Sequence, residues 1–240
     1  MRIKVIMTDT DTTQKEMRQR EKMLSKAVSS DCSITVCCIK TGPTELDCDT
    51  DEAFASAEMV KEAIAAEKEG YDALVTYGFA DVAIEAMREN VGIPVIGPGE
   101  TAVAVAGLLC NRFGVITTEQ RNVARTYRRL MKYPTAAAKL TSVRPVNVYI
   151  GNMRDDPRKT HEMLLAICED FVREERVEGV ILGCLSMVGY GKEIEEKLGI
   201  KVFEPAYIGV AYAEMCVRVG IVHTQANYPR FDNVSGVLSL

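Results

Sequence analysis

No apolar run in this sequence approaches the ~18 to 20 residues needed to cross a bilayer, and Met1-Arg2 leads straight into a β-like segment with no signal peptide expected. Lys and Arg form no cluster and the net charge is only −5, so neither nucleic acid nor a membrane surface is an expected partner. The two histidines, His161 and His223, stand in no readable Cys-His pair, and both read as surface or packing residues. The eight cysteines (32, 37, 38, 48, 110, 168, 184 and 216) fall at no metal-like spacing. They read as free thiols of a reducing, cytoplasmic protein, not as a disulfide scaffold.

What is present is an ordinary globular composition, 47% hydrophobic and 26% charged over 240 residues, enough for one large domain or two modest ones. Short β-branched runs alternate with segments of helical periodicity. Strands are predicted at Ile3–Met7, Ile34–Ile39, Ala73–Tyr77 and Pro94–Ile96, with helices at Gln14–Val28, Asp51–Gly70, Asp81–Asn90 and Thr101–Leu109. The second half repeats the theme, with strands at Gly114–Thr117, Val143–Tyr149 and Val177–Leu182 and helices at Glu119–Met131, Pro157–Glu174, Val188–Leu198 and Ile208–Val219. Such alternation predicts an α/β fold built on parallel sheets.

The two halves can be superposed. Asp72-Ala73-Leu74-Val75-Thr76-Tyr77-Gly78 lies over Glu178-Gly179-Val180-Ile181-Leu182-Gly183-Cys184, and Ile3-Lys4-Val5-Ile6-Met7-Thr8 lies over Phe113-Gly114-Val115-Ile116-Thr117-Thr118. With a one-residue gap between blocks, Val91 to Pro98 then falls over Leu198 to Pro205. An internal duplication is predicted, with one α/β lobe at 1–107 plus 208–240 and the other at 108–207. In that register Cys184 corresponds to Gly78.

Cys184 stands directly after a strand-like run, where ligands bind in open α/β sheets. Amides of Leu185, Ser186 and Met187 at a following helix start would favour its thiolate, so Cys184 is predicted to alkylate faster than the other seven cysteines. The plainer alternative is a small buried cysteine filling the core. Thr8 and Asp9, just past the first strand, have two readings of their own, as part of a helix cap or as lining of a binding site.

Several blocks in order carry a family resemblance: the early strand with its polar turn, Thr41-Gly42-Pro43, Asp72-Ala73-Leu74-Val75, Gly97 to Ala102, Phe113-Gly114-Val115-Ile116-Thr117-Thr118, Gly183-Cys184-Leu185-Ser186-Met187 and Tyr228-Pro229. Together they resemble the Asp/Glu/hydantoin racemase superfamily, most closely its hydantoin and allantoin racemase branch. The resemblance implies two pseudo-symmetric α/β lobes with the active site in the cleft between them, and cofactor-independent proton transfer at a carbon next to a carbonyl. In the racemases a pair of cysteines does this, one on each face of the substrate. Cys184 aligns with the second cysteine, and glycine, Gly78, stands where the first is expected.

On this reading the substrate is a small cyclic ureide or amino-acid-like carboxylate. It is lined by Thr8, Asp9, Pro43, Tyr77, Phe79, Ala80, Thr117, Thr118, Gly183, Leu185 and Ser186, with no metal and no cofactor. Amides of Phe79, Ala80, Leu185 and Ser186 are the expected oxyanion donors. A single thiol stalls racemisation through opposite faces unless Tyr77, Asp9, Thr76 or water takes the second role. A one-sided reaction loses nothing, as in a decarboxylase of the arylmalonate type, which has glycine at the first position and cysteine at the second. A third alternative is a degenerate member that binds a ligand without catalysis. A homo-oligomer is expected, since apolar helices such as Thr101–Leu109 suit an interface.

Overall fold

The first strand, β1 (Arg2–Met7), is buried at every position from Ile3 to Met7, as a near-continuous aliphatic run must be at the centre of a parallel sheet covered on both faces. In the computed structural model, which describes residues 1–230, it is followed by α1 (Gln14–Leu24), β2 (Ser33–Cys38), α2 (Asp49–Lys68), β3 (Ala73–Tyr77), α3 (Ile84–Asn90), β4 (Val95–Ile96) and α4 (Pro98–Leu109). The second half comprises β5 (Phe113–Thr117), α5 (Gln120–Leu130), α6 (Pro134–Ala137), β6 (Leu140–Pro145), α7 (Pro157–Asp170), β7 (Gly179–Leu182), α8 (Gly191–Leu198), β8 (Lys201–Phe203) and α9 (Pro205–Val219). The α/β class is as the sequence predicts. No helix among the described residues is long and apolar enough to cross a membrane.

Two four-stranded sheets form, ordered β2-β1-β3-β4 and β6-β5-β7-β8, with every pair parallel. The same order therefore occurs twice. Registers agree as well: Ile3 pairs with Ala73 in one sheet and Phe113 with Gly179 in the other, the pairs that the sequence superposition equates. The hydrogen bonds that enter the strands repeat too. Asp72 N–H donates to the Arg2 carbonyl (2.8 Å), and Glu178 N–H donates to the Arg112 carbonyl (2.9 Å). Backbone pairing thus fixes Gly78 and Cys184 as equivalent positions.

The chain divides into two compact units. The first is Met1–Pro98 with the described residues from Gly209 onward, and the second is Gly99–Ile208. Most of α4 goes with the second unit, whereas the sequence draws the boundary at 107; residues 231–240 of the first predicted lobe lie outside the described residues. In the first unit Ile6, Met59, Leu74 and Met87 share one apolar cluster. In the second, Leu164, Phe171, Val180, Leu182 and Ile194 share another, which includes Cys184.

Several boundaries differ from the sequence prediction for local reasons. Asp81 and Ala83 hold φ of 52° and 58°, a left-handed conformation rare for side chains with a Cβ, so α3 starts at Ile84 instead of Asp81. Pro98 opens α4, because a proline at the first helical position lacks only an N–H that has no intrahelical partner there. β6 lies earlier than the predicted Val143–Tyr149: it ends at Pro145 and Asn147 turns the chain at φ 56°. After α7 the helix widens into a π turn at Phe171–Glu175. The segment beyond α9 packs on α3 of its own unit, where His223 Nε2 lies 3.0 Å from the Val91 carbonyl oxygen and Arg88 Nη1 donates to the Tyr228 hydroxyl (3.3 Å).

Candidate active site

Gly183 sets where the chain goes after β7. Its N–H donates to the Ile116 carbonyl of β5 (2.8 Å), and a Cβ at 183 would lie 2.7 Å from that same oxygen and 3.0 Å from Val115 Cγ1. Only glycine allows this approach. Gly183→Ala is expected to destabilise the protein by roughly 1–3 kcal/mol through overpacking, seen as a lower urea midpoint; an unchanged midpoint would show that β5 gives way.

Cys184 follows in an extended conformation, φ −139° and ψ 130°, and heads a single 3₁₀ turn, Leu185–Met187. The turn closes with Met187 N–H donating to the Cys184 carbonyl (3.0 Å). α8 starts at Gly191 and not at the predicted Val188, and this one turn stands between it and the cysteine. The sulfur is buried, at 8% residue exposure, and lies 2.9 Å from Ser186 Oγ. Ser186 N–H also donates to it. Burial pushes the Cys184 thiol up, against the opposing pull of the Ser186 hydroxyl and amide and of the Arg154 guanidinium.

The direction is the reverse of the thiolate expected from sequence, because desolvation outweighs the donors around the sulfur. The predicted labelling order reverses with it. Cys48, the exposed cysteine, is expected to react first with iodoacetamide at neutral pH, which peptide mass spectrometry of a time course would read. Cys184 labelling ahead of Cys48 would contradict this picture.

Three side chains that the sequence did not single out stand near this turn. Arg154 donates through Nη2 to the Val188 carbonyl, and its guanidinium lies 5.2 Å from the Tyr190 ring centre. Glu204, directly after β8, accepts from Gly189 N–H (2.5 Å) and from Gly191 N–H, and burial raises its carboxyl above the usual range. The Tyr190 hydroxyl is buried and has no hydrogen-bond partner among the described residues. The duplication held one signal for Glu204, which falls over Gly97; no local pattern marks Arg154.

Before β7 in space come the ends of β5. Thr117 Oγ1 accepts from the Thr126 hydroxyl (3.4 Å) and Thr118 Oγ1 from Asn122 Nδ2 (3.0 Å), both threonines being buried. Their backbone carbonyls take Val146 and Val148 N–H. Leu185 is buried at 4% exposure. The second unit therefore brings Thr117, Thr118, Gly183, Cys184, Leu185 and Ser186 to the carboxyl ends of two adjacent strands.

In the first unit, Gly78 follows β3 as Cys184 follows β7, and the turn repeats, with Asp81 N–H donating to the Gly78 carbonyl (3.2 Å). A Cβ at 78 would meet Thr8 Cγ2 at 3.8 Å, Thr8 Oγ1 at 3.9 Å and Ala80 N at 4.0 Å, all ordinary contacts. Thr8 is buried, while Phe79 and Ala80 are half-buried. Thr76 Oγ1 is buried and has no hydrogen-bond partner among the described residues. Tyr77 carries the Arg20 guanidinium 5.7 Å from its ring centre. Asp9 accepts from Thr12 N–H (2.9 Å), a bond within the turn, and the cap of α1 belongs to Thr13 and Glu16. Pro43 accepts through its carbonyl from Thr10 N–H (3.0 Å) and the Thr10 hydroxyl (3.3 Å). The Asp81 carboxyl sits over Gly97, 2.5 Å from where a Cβ would be. Among the described residues no group of three or more His, Cys, Asp or Glu is placed to hold a metal.

Comparison with known proteins identifies the family and the fold. The profile described as Asp/Glu/Hydantoin racemase matches residues 5–213. The hydantoin racemase of Pseudomonas sp. (strain NS671) is 29% identical over 220 residues, 92% of this chain and 87% of its own. Among solved structures, allantoin racemase from Klebsiella pneumoniae superposes with a TM-score of 0.89 at 21% identity, over 97% of this chain and 94% of that one. A glycine-to-cysteine, cysteine-to-serine double variant of arylmalonate decarboxylase superposes with a TM-score of 0.70 at 14% identity, over 90% and 92%. At these identities the structural likenesses are of fold. The family match spans most of the chain, and by it this protein belongs to the Asp/Glu/hydantoin racemase family.

Proposed function

We propose that this enzyme moves a proton, without a cofactor, at the carbon α to a carbonyl of a small cyclic ureide of the hydantoin type, with Cys184 as its thiol acid and base. The observation that carries the reading is the Cys184 turn: a sulfur at the carboxyl end of β7, buried, 2.9 Å from the Ser186 hydroxyl and facing the Ser186 amide. Burial keeps the thiol protonated at neutral pH, ready to give a proton, and the two Ser186 donors hold the charge when it accepts one. A carbon acid next to a carbonyl needs its enolate stabilised. With Ser186 N–H turned to the sulfur, Thr118 is the hydroxyl on the adjacent strand end suited to that oxygen. The relatives named hydantoin racemase support the ureide class.

Gly78 favours a second reading. With no thiol at the position equivalent to Cys184, proton transfer at one face needs one carrier only, as in decarboxylation of a malonate-like acid followed by protonation of the enediolate. Incubating an optically pure 5-substituted hydantoin in deuterium oxide separates the two. Exchange at C5 supports proton transfer on the ureide, with loss of optical activity marking racemisation and retention marking one-sided transfer. Carbon dioxide release from an arylmalonate, without hydantoin exchange, would replace the first reading by the second.

A further inference from the structure

The turn that carries Cys184 is tied on its far side by a residue from another part of the second unit. Val188 ends the 3₁₀ turn headed by Cys184, and its N–H donates to the Leu185 carbonyl (3.3 Å). The Val188 carbonyl in turn accepts from Arg154 Nη2. Arg154 does not hang loose on the surface, although it is exposed. Met153 before it is fully buried, and its carbonyl accepts from the buried Thr160 hydroxyl (3.1 Å). After it, Asp156 caps α7 by accepting from Lys159 N–H (3.0 Å), and Pro157 opens that helix. The guanidinium is further fixed by the face of Tyr190, 5.2 Å from the ring centre. Arginine suits this double task because its planar group stacks and donates at once.

We infer that Arg154 is a positioning residue for Cys184, holding the sulfur's turn through the Val188 carbonyl and keeping its cationic group beside that turn. The inference rests on the reading of Cys184 as the proton carrier. Other charged and titratable groups near the turn have partners of their own. Glu204 binds the Gly189 and Gly191 amides and shares the field of Arg154, as does Tyr207. Glu195 acts on Glu204, and His161 pairs with Glu193 (3.2 Å) with its ring 6.2 Å from that of Tyr190. Arg154 is the cation that acts on the sulfur together with the two Ser186 donors.

The test is the pH profile of Cys184 alkylation by iodoacetamide in the full chain without substrate, with Cys48 of the same molecule as internal reference and a circular-dichroism melt to confirm folding. Arg154→Gln is expected to move the Cys184 midpoint upward and to slow its labelling relative to Cys48 roughly threefold or more at fixed pH. Arg154→Lys is expected to recover at least part of that shift. A midpoint that stays put or falls in folded Arg154→Gln overturns the inference, as does a lysine variant no different from the glutamine one. Labelling does not need turnover. Absent hydantoin exchange with a shifted midpoint would sink the functional reading alone, and normal exchange with an unshifted midpoint would sink this inference alone.

Discussion

Cys184→Ser is expected to lower the rate of hydantoin C5 exchange by roughly 10²–10⁴-fold, the contribution typical of one positioned proton carrier. A serine hydroxyl keeps the size of the site and the contact with Ser186, so the protein should melt within a few degrees of the parent, but the hydroxyl ionises far above any working pH. Retention of more than a tenth of the exchange rate would remove Cys184 from the chemistry. The parent enzyme has its own signature. Because burial raises the Cys184 thiol, the thiolate that abstracts a proton becomes populated only as pH climbs past the ordinary thiol value of 9.0. Exchange should rise with pH through the neutral range, while any reaction that uses the protonated thiol as donor should stay level there and fall at higher pH. A profile for exchange that declines from pH 6 to 9 would contradict the base role.

Gly78→Cys is the second large expected effect, this time a gain. Position 78 has room for a Cβ, whose nearest neighbours would lie at 3.8 to 4.0 Å. The Ala80 amide stands where the Ser186 amide stands for Cys184, and the Thr8 hydroxyl adds a donor, so the new sulfur would meet groups of the kind that already serve the old one. If one missing proton carrier limits the parent, loss of optical activity of a hydantoin should accelerate roughly tenfold or more, with C5 exchange rising by less. Polarimetry and deuterium incorporation, run on the same samples, read both. A folded variant with the parent's racemisation rate would mean that the second carrier is not what the parent lacks.

The sheets were legible because their strands are buried on both faces and so consist of short aliphatic runs, such as Val180-Ile181-Leu182, whose brevity and flanking glycines set them apart from the helical segments between them. The duplication then gave the equivalence of Gly78 and Cys184, which strand register bears out independently. The state of the sulfur was not legible. A cysteine after a strand looks the same in sequence whether it meets a long helix or a single turn, and desolvation depends on every group that closes around it. Arg154 was hidden for a related reason: its bond to Val188 joins residues far apart in the chain through a side chain and a carbonyl, and carbonyls leave no mark in a sequence. β6 was misplaced because Val146 and Val148 keep bonding to the strand end of β5, so their alternation continues beyond the strand itself.

Asp81 lying over Gly97 has a consequence for how far the two repeats can be interchanged. Asp81 is the counterpart of Met187 and Gly97 that of Glu204, so each repeat keeps one carboxylate but roots it on a different strand. Transplanting the Cys184 turn into the first repeat would delete the acid at 81, whereas installing the acid of 204 at position 97 alone would drive it into Asp81. The four positions must be traded as a set. A chimera that swaps only one pair should be less stable than the one that swaps both, a non-additivity expected of side chains competing for the same space.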